Sequence, residues 1–308
     1  MRRFAGFLLA LLVLTGCRKG PIRHESASFT ISADAKTIVW TSGESGQNRL
    51  LIRKADGTTK TLASGAYFEH PALSPDGHTV IVSVGSNYRS KLDLVQFDVE
   101  SGTRTELLKE LDASKYSADF SPDGHWVALN VGARPKSHSM GGVQWTDFDL
   151  YVMDVATRKA RRLTETKFTK IFGPRWSPDG TSLIFSFIDY DGVSWLRELK
   201  LSDGSTIEET QLKNNESMPV YWGKQVVIVS DRDNFGRYRI AVVNPSNGTV
   251  TPITHEDGFY ADPQVANDKI YVLEDVTHAM RFRISEIDPK TGASQEILPE
   301  SAFDPVKK

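Results

Sequence analysis

Cysteine and net charge are both scarce in this sequence. One cysteine in 308 residues excludes a disulfide-stapled miniprotein. Lys and Arg total 37 against 39 Asp and Glu, and the formal net charge of −2 gives no electrostatic reason to expect nucleic-acid binding or a polybasic membrane patch. With 39% hydrophobic residues, the chain has enough apolar side chains for a sizeable globular core. We therefore expect no nucleic-acid partner.

The motifs of common enzyme classes are also missing. The sequence contains no Gly-x-Ser-x-Gly nucleophile elbow, phosphate-binding glycine loop or His-Glu-x-x-His zinc motif. None of its seven histidines stands two or four residues from another, so no histidine pair predicts a metal site. Outside the first twenty residues, no segment has convincing helical periodicity, which argues against an α/β enzyme domain. From these absences we expect a protein that is not an enzyme and has no metal or other cofactor.

The first residues differ in character from the rest of the chain. Two arginines precede an apolar run over 4–14, which is too short for a membrane span of about 20 residues. This pattern predicts a secretion signal over 1–16. The Leu-Thr-Gly-Cys stretch ending at Cys17 resembles a bacterial lipobox, which implies that Cys17 is lipidated and that 17–26 form a linker. An unlipidated signal with an incidental cysteine is the alternative. Arg18 stands where Asp is the usual inner-membrane retention signal, which favours the outer membrane.

A short phrase recurs along the chain. Ser-Pro-Asp-Gly occurs at 74–77, 121–124 and 177–180, and a weaker copy, Ser-Ala-Asp-Ala, occurs at 32–35. Proline presets φ at the first corner of a turn, aspartate can bond the backbone, and glycine accepts positive φ. Because β-type segments flank each copy, the phrase predicts a hairpin turn.

A second regularity extends the repeat. Downstream of each turn, a strand ends near an acidic residue, and a polar turn leads to a strand with Leu or Ile near its end. Units five and six lack Ser-Pro-Asp-Gly and rest on this regularity and on spacing. The two features together define six units, near 27–64, 70–110, 117–164, 172–212, 218–254 and 261–298.

Six such units predict an all-β fold. A four-stranded sheet of about 40 residues cannot bury both faces alone, but sheets stacked around an axis cover one another. We therefore expect a six-bladed β-propeller of four-stranded antiparallel blades over 27–298, followed by a tail over 299–308. Four strands in every unit hint at closure without strand exchange, but strand counts at the termini do not fix how the ring closes. Residues 132–147 interrupt unit three between its second and third strands. They are expected to form a solvent-exposed loop or, alternatively, a loop that shapes one mouth of the propeller.

Three stretches identify a family resemblance. The segments at 149–164, 176–187 and 229–244 resemble the WD40-like Pro-Asp repeats of TolB-type six-bladed propellers, which also occur in relatives of prolyl oligopeptidase. The resemblance covers roughly 27–298 and implies the fold; it implies function only by analogy. TolB acts in the cell envelope, and prolyl oligopeptidases add a hydrolase domain with a nucleophile elbow that is absent here. We expect a lipid-anchored protein facing the periplasm.

The start of each inner strand is the best place to look for a binding site. In a propeller, the innermost strands surround a central channel, so residues at their starts should meet at one mouth. Aromatic and charged residues are typical of recognition surfaces, although the aromatics could instead pack between blades. The candidate binding residues at this mouth are Tyr67, Phe68, Glu69, His70, Lys115, Tyr116, Phe172, Glu216, Phe259 and Tyr260. The wider set includes Lys170, Ile171 and Met218.

Other residues have structural interpretations. Asp231, Asp233, Asn234 and Gly236 resemble half a calcium loop, as Asp189 and Asp191 do more weakly, but both stretches are better explained as turns. His78 and His125 follow turn glycines and are expected at the surface. Five tryptophans are expected in the packing between blades: Trp40, Trp126, Trp176, Trp195 and Trp222.

These observations favour a non-catalytic scaffold. We expect a lipid-anchored propeller that presents its channel mouth to an envelope protein or peptide. The alternative is a sugar or metal ligand, or hydrolase- or lyase-type chemistry, in the channel. Its candidate residues would be Glu69, His70, Tyr116 and Glu216.

Overall fold

A computed structural model describes most of the chain. The described residues are 27–43, 48–87, 90–137, 143–189, 191–202, 205–212, 216–230, 238–245, 247–254, 259–275 and 281–304. Cys17, the predicted signal segment and the calcium-like stretch at 231–236 lie outside these residues.

The Ser-Pro-Asp-Gly phrases form the predicted hairpin turns. At 74–77 the Ser74 hydroxyl donates to Asp76 Oδ1 over 2.5 Å, and the same carboxylate accepts the N–H of His78. Gly77 takes the left-handed conformation with φ 76°, where a side chain would be strained. The turns at 121–124 and 177–180 repeat this pattern, and so does the weaker copy, with Ala35 in the glycine position.

The predicted six blades are confirmed, each a four-stranded antiparallel sheet whose strands pair in chain order. Blades 1 to 3 contain β1 (Phe29–Ile31), β2 (Ile38–Ser42), β3 (Arg49–Arg53) and β4 (Thr59–Ser64); β5 (Tyr67–Leu73), β6 (Thr79–Gly85), β7 (Asp93–Asp98) and β8 (Arg104–Leu107); and β9 (Ser114–Phe120), β10 (Trp126–Ser137), β11 (Val143–Asp154) and β12 (Ala160–Arg162).

Blades 4 to 6 follow the same order. They contain β13 (Lys170–Trp176), β14 (Ser182–Ile188), β15 (Ser194–Lys200) and β16 (Thr206–Gln211); β17 (Ser217–Trp222), β18 (Gln225–Ser230), β19 (Arg239–Asn244) and β20 (Thr249–Pro252); and β21 (Phe259–Ala266), β22 (Lys269–Asp275), β23 (Arg283–Ile287) and β24 (Ser294–Leu298).

The first strand of each blade is the innermost. It contacts the first strand of the next blade all around the ring, and β21 returns to β1. The channel end at which these six strands begin is called the mouth below. The opposite end, which carries the Ser-Pro-Asp-Gly turns, is called the turn face. Successive turns touch there: a Cβ at Gly124 would lie 3.6 Å from Pro75, and one at Gly180 would lie 3.7 Å from Pro122.

The hydrophobic core lies between the blades. Along β6, Val80 and Val82 pack with blade 1 residues, whereas Ile81 packs with residues of blade 3. Both faces of the strand are covered, which explains why its sequence is almost continuously apolar instead of alternating. Of the five tryptophans expected in this packing, Trp40 and Trp176 are buried and Trp195 and Trp222 are half-buried. Trp126 is an exception, because it follows a turn and is 39% exposed.

Residues 132–137 and 143–147 of the insertion are paired strands and not loop, which corrects the prediction for them. They lengthen β10 and β11 into a pair of antiparallel strands, called the hairpin arm below, whose register pairs Gly132 with Phe148 and Ser137 with Val143. Trp145 and Phe148 fold back into the core between blades 3 and 4. Because β10 runs from the turn face toward the mouth, this hairpin arm extends on the mouth side of the ring.

Each blade uses its own four strands, so the ring closes without strand exchange, a point that the sequence had left open. The seam between blades 6 and 1 is sealed by a shared apolar cluster that contains Phe29, Trp40 and Phe282. A short 3₁₀ helix, Glu300–Ala302, follows the last strand, and Phe303 is fully buried against Trp40. Within the described ranges, the structure contains no helix long and apolar enough to cross a membrane.

Candidate binding site at the channel mouth

The inner strands of blades 2 to 6 share a backbone irregularity. Each shows a register shift against its second strand. One residue at each shift has a left-handed φ between 20° and 55°: His70, Ser117, Gly173, Met218 and Asp262. Such bulges kink a strand and redirect the neighbouring side chains. On each of these strands, the residues before the bulge lie on the mouth side, and the residues after it lie on the side of the turn face.

Glu69 and His70 form an ion pair at the bulge of blade 2. His70 Nε2 lies 3.1 Å from Glu69 Oε1, and the Tyr67 hydroxyl donates to Glu69 Oε2 over 3.2 Å. Burial is the largest single influence on both pKa values and opposes both charges. The hydrogen bond between the two groups and the attraction of their charges together outweigh it, so the pKa of Glu69 is lowered and the pKa of His70 is raised. The pair therefore favours a carboxylate beside an imidazolium.

Arg175 crosses the channel beneath this pair. Its guanidinium extends from blade 4 to Asp119 Oδ1 of blade 3, at 3.8 Å, and to Asp262 Oδ1 of blade 6, at 3.6 Å. Blades 4 and 6 are not neighbours in the ring, so this contact passes across the channel. Burial raises the pKa of Asp119 while Arg175 acts against the shift. Asp262 also accepts the N–H of Phe29 over 2.9 Å and thereby ties this network to blade 1.

Lys170 begins the inner strand of blade 4 and has an unusual environment. Its Nζ is buried and has no hydrogen-bond partner among the residues that the structure describes. It lies 4.5 Å from the centre of the Phe172 ring. Burial lowers the pKa of Lys170 to about 7, and the charge of Glu69, two blades away, acts against this shift. An amine in this state alternates between neutral and charged forms near neutral pH.

Tyr116 connects the mouth to the hairpin arm. Its ring packs edge-to-face on Phe148 of the arm, with centroids 5.6 Å apart. Burial raises the pKa of its hydroxyl, which therefore stays protonated and can donate a hydrogen bond. The arm is thus part of the wall of the mouth.

The ten residues expected at the mouth fall into two sets according to their contacts. Five are associated with the channel network described above: Tyr67, Glu69, His70, Tyr116 and Phe172. The other five lie outside that network. Lys115 and Glu216 are each only 1% exposed, and Phe68, Phe259 and Tyr260 belong to apolar clusters of the core.

Asp119, Arg175 and Asp262 are the residues that sequence reasoning missed. Asp119 and Arg175 each stand two residues before a Ser-Pro-Asp-Gly serine, and Asp262 precedes a proline in blade 6. The offset from the turns that Asp119 and Arg175 share was available in the sequence as a signal. The contact of Arg175 with Asp262 across the ring was not. Among the residues that the structure describes, no three His, Cys, Asp or Glu side chains are grouped closely enough to hold a metal ion.

Comparisons with known proteins support the fold. No known protein-family model matches the sequence. TolB from Acinetobacter baumannii superposes with a TM-score of 0.63 at 21% identity, over 87% of this chain and 64% of that one. The chain is therefore a six-bladed β-propeller, and its propeller is of the TolB type.

Peptidases are also among the similar proteins. Dipeptidyl-peptidase 5 of Porphyromonas gingivalis is 24% identical over 192 residues, which are 59% of this chain and 27% of that protein. A Mycobacterium tuberculosis puromycin-hydrolyzing peptidase superposes with a TM-score of 0.60 at 16% identity, over 88% of this chain and 46% of that one. The chain thus spans about a quarter of the curated relative it matches.

These relatives overturn one prediction. The missing enzyme motifs led us to expect that the chain is not an enzyme, and that prediction is wrong, since its relatives point to peptidase-type enzymes. The error lay in judging catalysis from motifs of this sequence alone, because propellers of this type also accompany hydrolytic chemistry.

Proposed function

We propose that this chain is a recognition propeller that binds a protein or peptide at its channel mouth. The observation that carries the proposal is the convergence of Glu69, Tyr116 and Lys170, from three different blades, around one opening. Aromatic rings beside charged groups are suited to binding a polypeptide. Because the blades hold these side chains in place before binding, little conformational entropy would be lost on association.

The proposed setting is the periplasmic side of the bacterial envelope. The lipobox-like sequence ending at Cys17 supports attachment by acyl chains, and two or more chains anchor a protein stably. Confinement to a membrane raises the effective concentration of anchored partners. Intact-mass spectrometry of the envelope protein should show the added acyl mass on a chain that begins at Cys17, and Cys17→Ser should release the protein into the soluble fraction. A mature chain without acyl mass would contradict the anchor.

The binding proposal can be tested by site-specific photocrosslinking in isolated, permeabilised cell envelopes. A photoreactive phenylalanine replaces Tyr116 at the mouth and, as the matched control, Trp126 at the turn face. We expect Tyr116 to crosslink a defined polypeptide segment, identified by mass spectrometry, and an excess of the purified unlabelled propeller to suppress the product. Equal capture from both positions, or none at the mouth, would overturn the proposal.

A second candidate, favoured by the peptidase relatives, is that the chain works in peptide hydrolysis. In that case the mouth would receive a peptide substrate. Release of chromogenic amines from a panel of dipeptidyl anilides, tested with the full chain and with Lys170→Met, measures this directly. Turnover that is sensitive to the mouth variant would support hydrolysis, and absence of turnover across the panel would contradict it.

A further inference from the structure

Two buried lysines offer a comparison within the same molecule. Lys115 Nζ lies 3.3 Å from the Ala113 carbonyl, to which it donates, and 3.4 Å from Asp93 Oδ1. Lys170 Nζ is also buried but has no hydrogen-bond or ion-pair partner among the described residues. The Phe172 ring is the nearest group that offsets the burial of its positive charge. Lys115 is thus a satisfied structural lysine, whereas Lys170 is not.

An unsatisfied amine at this position is costly to the folded state. A buried polar group without an acceptor destabilises a protein, and contact with an aromatic face offsets only part of that loss. The lysine side chain has four rotatable bonds, and Lys170 is half-buried at the start of its strand. Rotation away from Phe172 can therefore bring the amine to a ligand in the channel.

The other charges near the mouth already have partners. Glu69 is held by His70 and Tyr67. Arg175 is engaged by Asp119 and Asp262. Glu216 accepts a hydrogen bond from the Ser230 hydroxyl. Among the channel residues described, Lys170 is therefore the cation left to receive an anion.

We propose that the mouth binds a carboxylate group of a peptide partner, with the Lys170 ammonium as its ion-pair partner. The inference rests on the proposed recognition function and adds the chemical group that is recognised. Tyr116, which can donate a hydrogen bond, and the Phe172 ring would flank the bound group. The carboxylate could belong to the C-terminus of the partner or to an Asp or Glu side chain, and the test below separates these sources.

This assignment makes binding dependent on pH. The carboxylate pairs with the charged amine, so affinity should fall as pH rises through about 7, where Lys170 loses its proton. The groups that face this region are Glu69 and His70 on β5 and Tyr116 on β9, with Asp119 further in. His70 also titrates with a raised pKa, and therefore the readout must report on Lys170 itself.

The experiment follows Lys170 by NMR in the full chain labelled with ¹³C at lysine Cε. The Lys170 signal is identified by its loss in Lys170→Met. Three probes are titrated: acetyl-trialanine with a free C-terminal carboxylate, acetyl-Ala-Glu-Ala-amide, and the neutral acetyl-trialanine amide. We expect at least one acid probe to shift the Lys170 signal and to raise the pKa of Lys170 above about 8. The neutral amide should do neither, and the Lys115 signal should not move.

The variants complete the test. Lys170→Met should weaken binding of the acid probe at least tenfold, Lys170→Arg should retain most of it, and Lys115→Met, as the matched buried control, should leave it unchanged. Response to only the first probe assigns a C-terminal carboxylate, and response to the second assigns an acidic side chain. Equal binding of the neutral amide, or undiminished binding by Lys170→Met, would overturn the inference. If Tyr116 crosslinks a partner while no acid probe binds, this inference fails and the recognition function stands; if neither occurs, both fail.

Discussion

The mouth and the turn face of the channel are built from the same six inner strands, yet they differ in how closely the blades repeat one another. At the turn face, blades 1 to 4 use the same hydrogen bond from serine to aspartate. At the mouth, one register position is occupied by Glu69 in blade 2, Tyr116 in blade 3 and Phe172 in blade 4. The residues that repeat at the turn face serve the folding of every blade. The residues that differ at the mouth serve a single site.

The two ends also differ in how completely their polar groups are satisfied. Each serine of the turn phrase donates to its aspartate. The second-strand residues opposite the varied mouth position each leave a buried side-chain oxygen without a partner: Ser83, Asn130 and Ser186. Buried polar groups are normally paired, so the mouth retains hydrogen-bonding capacity that folding has not used.

The largest expected effect is at the network that crosses the channel. Arg175→Met leaves Asp119 and Asp262 without their shared cation, and breaking a buried ion pair costs about 3 kcal/mol. Urea denaturation at pH 7 should show this loss of unfolding free energy. Arg104→Met, at an exposed ion pair on β8, should cost less than about 0.5 kcal/mol. Equal effects of the two changes would show that Arg175 is not a structural tie across the ring.

The next effect concerns Lys170. Removing the unsatisfied amine by Lys170→Met should stabilise the fold by about 2 kcal/mol at pH 7. The folded pKa of Lys170, about 7, lies below its ordinary value, so the unfolded chain binds more protons above pH 7 and wild-type stability rises over that window. The advantage of the variant should therefore shrink as the pH is raised from 7 toward 10 in urea titrations. If the stability difference between the variant and the wild type does not depend on pH, the stabilisation comes from better packing and not from removal of the amine.

The turn face gives a smaller effect with an internal control. Gly180 has φ 71°, and a side chain in this conformation costs about 1 kcal/mol. Gly180→Ala should therefore lower the free energy of unfolding. Ala35 already occupies the same turn position with φ 60°, and Ala35→Gly should raise that free energy by about 0.5 kcal/mol, once the greater freedom of the unfolded glycine is subtracted. Thermal unfolding measures both, and changes of the same sign would contradict the equivalence of the turns.

The smallest effect is at the Glu69–His70 pair. His70→Asn, at a φ of 50° that asparagine tolerates, removes the ion pair. Because the asparagine amide can still donate a hydrogen bond to Glu69, the expected cost is only about 0.5 kcal/mol. Because the folded pKa of His70 is raised, the contribution of the pair is complete below the ordinary value near 6.5 and is lost as pH rises through the folded pKa. Urea titrations at pH 6 and pH 8.5 should show the larger cost at pH 6, with the exposed His125→Asn as control. The reverse order would contradict an imidazolium at this site.

Much of the fold could be predicted because the turn chemistry is local. Ser74, Asp76 and Gly77 interact within a few residues, so their pattern in the sequence was sufficient to place the hairpins. The hairpin arm was not predicted, because Pro135 and the glycines at 141–142 are typical of loops. Its strands are held instead by pairing of Pro135 with Trp145 and by packing of Trp145 into the core.

The candidate site was only partly predictable. Strand alternation would have separated Tyr116 from its buried neighbour Lys115, but the bulge resets the alternation within the strand. The contact of Arg175 with Asp262 joins residues 87 positions apart in the chain, on blades that do not touch as neighbours. Such a pair follows from closure of the ring and not from any local pattern.

Closure without strand exchange has a mechanical consequence. Among the described residues, no backbone ladder joins blades 6 and 1, and a single backbone hydrogen bond, from the Asn267 N–H to the Ala33 carbonyl, crosses between them. The rest of the seam consists of side-chain packing and of side-chain bonds such as those from Trp40 Nε1 to the Ala302 carbonyl and from Ser42 Oγ to the Phe303 carbonyl. Under load, such side-chain contacts break one at a time, whereas the backbone hydrogen bonds of the sheet within a blade must break together. Under mechanical tension, the ring should open at this seam first and close again with every blade intact.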